Sequence, residues 1–133
     1  MNTKPCLSLD DCRKMIAACE VEARLNSWNV AIAIVDDGGH LLMFLRMDGA
    51  TPANADNAIQ KGRTAAITRR STKVWEERIA AGRISTLSMP VMAVQGGIPV
   101  FHLDECVGAI GVSGVQSPQD EQIARAGADA LSG

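Results

Sequence analysis

Aromatic residues are nearly missing from this 133-residue chain, which has two Trp, two Phe and no Tyr. So few rings build no base-stacking surface, and the core must come from Ala, Val, Ile, Leu and Met. An excess of one charge is missing too. Thirteen Lys and Arg against fifteen Asp and Glu leave a formal net charge of −2. That balance gives no footprint for nucleic acid or an anionic membrane, and neither is expected as a partner. No apolar run approaches the roughly 18 residues of a membrane helix. Met1 to Lys4 opens no apolar signal segment, so a cytoplasmic protein is expected.

Metal and redox patterns are also absent. Cys6, Cys12, Cys19 and Cys106 form no C-x-x-C pair, so neither zinc nor a redox motif is signalled. On one helix Cys12 and Cys19 stand about 10 Å apart, too far for a disulfide. Buried free thiols are the expectation. His40 and His102 are the only histidines, and neither has a second ligand at metal spacing. Each is first a structural histidine, with a catalytic or axial-ligand role as the alternative.

What is present suits a single domain over residues 1–133 with a real core. Ser8 caps a first helix, with Asp11 three residues on. Leu9, Cys12, Ile16, Cys19 and Ala23 share its packing face, and it ends near Asn26. Residues 29–36 are apolar at both parities and read as a strand covered on both faces. Asp37-Gly38-Gly39 turns the chain into a second strand, 40–46. Thr51-Pro52 opens a helix to about Arg70, whose face is small: Ala55, Ala58, Ile59, Gly62, Ala65 and Ala66. Residues 71–81 read as a further helix, and Gly82 to Pro90 as irregular. Three strands follow, over 91–95, 98–103 and 106–113. Ser117-Pro118 then opens the closing helix. The result is an α/β (α+β) chain with helices on both sides of a five-stranded antiparallel sheet.

Glycines recur at Gly96-Gly97 and at Gly108, Gly111 and Gly114. Their spacing fits neither a dinucleotide fingerprint nor a phosphate loop, since it is not G-x-G-x-x-G and no Walker lysine follows. Strand glycines usually mark close backbone approach; the functional alternative is a pocket lined by their amides. In an extended chain Arg46 and Asp48 point to one side and can pair. Arg46 would then aim a planar fork at a ligand carboxylate. Lys61 sits at the border of the small helix face. It either snorkels to water or reaches into a cavity as acid, base or imine former.

These stations together resemble the GlcG/HbpS family, which includes the C-terminal domain of PduO-type proteins. The matching segments are Val35-Asp36-Asp37-Gly38-Gly39, Arg46-Met47-Asp48-Gly49, the helix with Lys61 and Thr64-Ala65, Gly96-Gly97-Ile98-Pro99, and Gly108 to Gly114 followed by Asp120-Glu121. The resemblance implies a profilin-like fold with a five-stranded antiparallel sheet between helices. It implies a homo-oligomer built from dimers, up to an octamer. Some relatives bind haem; others accompany catabolic pathways.

The resulting expectation is a small-molecule enzyme or binding protein acting on an anionic metabolite such as an unsaturated keto acid, enol or enamine. Its reaction would be hydrolysis or tautomerisation. Lys61, Arg46 and Asp48 are the candidate catalytic residues. Gly96, Gly97, Gly111, Ser113, Gly114 and His40 are the candidate ligand-binding residues. No metal or cofactor is required. Haem binding, through His40, His102 or a Cys or Met, is the competing reading, and a structural accessory subunit is the third.

Overall fold

Ser8 and Asp11 form a complete capping box in the computed structural model, which describes residues 1–132. The box opens helix α1 (Leu9–Leu25). Strands β1 (Ala31–Asp36) and β2 (Leu41–Arg46) follow, then helices α2 (Pro52–Thr68) and α3 (Thr72–Ala80). A 3-10 turn at Ile84–Ser88 leads to β3 (Gly97–His102), β4 (Glu105–Ser113) and helix α4 (Ser117–Ser132).

The sheet has four strands, in the order β2-β1-β4-β3, every neighbouring pair antiparallel. This corrects the expectation of five. Residues 91–95 are apolar but form no strand. Side chains take their backbone donors instead. Met92 N–H donates to Thr64 Oγ1 of α2 at 2.8 Å, and Gln95 N–H to Glu76 Oε1 at 3.3 Å.

The central strands β1 and β4 are buried on both faces, as their apolar parities require. On one face α1 and α4 bring Met15, Cys19 and Ile123 against Ile32, Ile34 and Ile110. On the other, α2 brings Ala58, Ala65 and Ala66 against Ala31, Ala33, Val35 and Ala109.

The α2 contact is close enough to involve backbone. A Cβ on Gly111 would stand 1.9 Å from the Ala58 carbonyl oxygen and 2.4 Å from Gly62 N. Side chains cannot occupy that space, so the glycine run of β4 is where helix meets strand. The edge strand β2 is barer. Met43 and Leu45 pack inward, while Leu41, Leu42 and Phe44 stay exposed.

The two ends of the sheet differ. Arg46, Ala31 and Ser113 share one row, and Gly97 starts β3 at that same end. Both hairpin turns, with His40 and His102, lie at the opposite end.

Candidate functional site

Lys61 is placed by the small face of α2. Its neighbours Ala58, Gly62 and Ala65 seat the helix tightly on the sheet, and the lysine stem is buried with them. The residue is 3% exposed. Its side chain passes the start of β3 toward the far helical layer. Nζ donates to the Val112 carbonyl at 3.1 Å and to Asp120 Oδ2 at 3.0 Å.

Asp120 lies in the first turn of α4 and is 1% exposed. Its Oδ1 accepts from Val115 N–H at 3.1 Å. Burial pushes its carboxyl above the ordinary carboxylate range, and the Lys61 ammonium opposes that shift. Gly96 makes room for the pair: it adopts φ +136, and a Cβ there would stand 2.9 Å from Nζ. Only glycine accepts that backbone conformation and that contact together.

A cavity of about 190 Å³ opens beside this pair. Asn57, Lys61, Ser113, Ser117 and Asp120 form its polar side; Met92, Val94 and Val115 form its apolar side. Ser113 Oγ donates to Asn54 Oδ1 at 2.9 Å. The Nζ ammonium has three donors. Two are engaged by protein, and the third has no acceptor among the described residues.

Of the residues singled out from sequence, Lys61 and Ser113 meet at this cavity. Gly96, Gly97, Gly111 and Gly114 do not line it. Gly97 N–H is already taken by Thr72 Oγ1 at 2.9 Å, and Gly111 lies under α2. Lys61 does not snorkel, because its charge has a buried partner.

Arg46 and Asp48 are both exposed and form no ion pair, contrary to the expected one. The strand stops at Arg46, Met47 turns inward, and Ala50 N–H closes a turn on the Met47 carbonyl at 3.1 Å. The alternation that would have aligned the two side chains therefore ends between them. His40 belongs to the far hairpin, where its N–H donates to Asp36 Oδ1 at 2.9 Å.

Asp120 is the residue that sequence reasoning missed. Its position in a helical first turn explains it as a dipole partner, and nothing local points to a lysine 59 positions away. A second cavity, about 290 Å³, lies at the opposite end. His102, Lys14, Asp11 and Cys6 line it beside Leu7, Val107 and Leu131. Among the described residues, no group of three or more His, Cys, Asp or Glu is arranged to hold a metal ion.

This is an α+β domain of helix, sheet and helix layers, with a buried ion pair that faces a small polar cavity. Residues 7–129 match the family profile described as haem degrading protein HbpS-like. Protein GlcG of Escherichia coli is 44% identical over 114 residues, 85% of each chain. The crystal structure of HbpS superposes with a TM-score of 0.90 at 32% identity, covering 98% of this chain and 94% of that one. The crystal structure of a PduOC–haem complex gives a TM-score of 0.86 at 25% identity, covering 95% of each chain. The chain belongs to the HbpS-like family.

Proposed function

We propose that the protein binds, and acts on, a small carboxylated metabolite at the Lys61–Asp120 cavity. An unsaturated keto acid, enol or enamine of a catabolic pathway is the class that fits. The observation that carries the reading is a buried ammonium with one donor left, facing a space of about 190 Å³. Asn57 and Ser117 offer neutral donors to a carboxylate. Lys61 and Asp120 offer a proton and a place to put it, which is what enol–keto interconversion or hydrolysis requires. The exposed Arg46 and Asp48 act at most at the approach to the site. The layered build suits a profilin-like fold, and the bare β2 face with Leu41, Leu42 and Phe44 suits a homo-oligomer. Calorimetric titration with short 2-oxo and unsaturated carboxylates tests this reading. Saturable binding of at least one is expected, and binding by none would refute it.

A second reading, haem binding, is favoured by the other cavity and by the haem complex of the PduOC relative. His102 would supply an imidazole ligand, Lys14 a cation for a propionate, and Leu7, Val107 and Leu131 apolar contact. The Lys61 cavity offers haem no imidazole or thiol, and of the residues that line it only the Met92 thioether is a conventional haem ligand. Bound haem would supply redox chemistry at its iron. Titration with haem separates the readings: a saturating Soret shift lost in His102→Ala supports the second, and no shift excludes it.

A further inference from the structure

We propose that Lys61 is a covalent binding residue: its amine forms an imine with the carbonyl carbon of a small 2-oxo acid, and Asp120 moves the protons. This rests on the carboxylate reading of the cavity. A lysine kept only to attract an anion gains nothing from a carboxylate 3.0 Å away that already neutralises it. A lysine kept only for packing needs neither the cavity nor its third donor. A proton shared between the two groups changes the picture. Transfer from Nζ to Asp120 Oδ2 turns ammonium and carboxylate into amine and acid, and a neutral amine is a nucleophile. Burial of Asp120, which raises its affinity for a proton, favours that transfer.

The step balances without an oxidant or co-reactant. The nitrogen lone pair attacks the carbonyl carbon and forms a C–N bond. The proton held on Asp120 goes to the carbonyl oxygen, which becomes a hydroxyl. Asp120 then accepts a second proton from nitrogen and returns it to that hydroxyl, which leaves as water while the C–O bond breaks. Ammonium and ketone have become protonated imine and water. Asn57 and Ser117 hold the substrate carboxylate during this exchange, and Met92 and Val115 cover the alkyl end.

The test is reductive trapping. The full chain is incubated with glyoxylate, pyruvate or 2-oxobutyrate and cyanoborohydride, and modified lysines are located by peptide mass spectrometry. Lys4, Lys14 and Lys73 are exposed and serve as internal standards. Lys61 is expected to carry the carboxyalkyl group in roughly tenfold excess over each of them, an advantage of about 1.4 kcal/mol. Asp120→Asn is expected to remove that excess. If the variant does not fold, Asp120→Glu keeps the charge and displaces the carboxylate, and it is expected to reduce the excess as well. Binding with label spread evenly over the lysines overturns the imine and leaves the carboxylate site standing. Neither binding nor label overturns both.

Discussion

Lys61 of α2 and Asp120 of α4, 59 residues apart, meet at 3.0 Å with both side chains almost fully buried. The two helices cover opposite faces of the sheet, so the pair fastens one layer to the other where β3 has not yet begun. Breaking it by removing one partner leaves a buried charge without compensation, which costs about 3–5 kcal/mol.

That cost should depend on pH. Burial raises the Asp120 carboxyl and Lys61 opposes the rise, so Lys61→Met leaves burial unopposed. A carboxyl raised on folding contributes stability that is complete below its unfolded value, about 3.9. The contribution is lost as pH rises through the folded value. Lys61→Met is therefore expected to be strongly destabilised near pH 7 and to approach the parent toward about pH 4. Adding Asp120→Asn should abolish the recovery. Thermal melts of parent and variants across this range decide it, and a deficit that stays constant with pH would sink the explanation.

Gly111→Ala places a methyl 1.9 Å from the Ala58 carbonyl. Backbone cannot give way like a flexible side chain, so α2 must lift from β4 and carry Lys61 with it. A loss at or above the usual overpacking range of about 1–3 kcal/mol is expected in denaturant unfolding, together with weaker ligand binding. A midpoint within error of the parent would mean the helix–strand contact is looser than described.

Arg46→Lys should leave ligand affinity within about twofold, well short of the tenfold that corresponds to 1.4 kcal/mol. Arg46 lies two strands from Ser113 in the same row and is exposed. A large loss on titration would show that the ligand extends beyond the cavity to a guanidinium fork.

Cys6 is exposed, whereas Cys12, Cys19 and Cys106 are buried. Burial pushes the Cys19 thiol up to about 12, which keeps it unreactive at neutral pH. A disulfide reagent should titrate one thiol quickly in the native protein and the remaining three only on unfolding. Fast reaction of more than one would contradict the packing of α1 and β4.

Helix positions were legible because their signals are local. Ser8 with Asp11, and Thr51-Pro52, mark starts that depend on a few neighbouring residues. The glycine run of β4 was legible as close packing for the same kind of reason. Residues 91–95 misled because apolar, β-favouring composition does not say whether a neighbouring strand exists to pair with. There the donors went to Thr64 and Glu76. Arg46 and Asp48 misled because alternation stops where a strand stops. Lys61 stood out by its small neighbours, yet its partner did not, because helix α4 reaches it only through the tertiary fold.

If the Lys61–Asp120 cavity is the ligand site, parallel calorimetric titration of the parent and Lys61→Met/Asp120→Asn must separate them. The double variant removes both charges together, so neither is left buried alone. A carboxylate that saturates the parent is expected to lose at least about tenfold in affinity for the variant, or about 1.4 kcal/mol, while the thermal melt shows it folded. Equal affinity in a folded variant would contradict the account and move the ligand elsewhere.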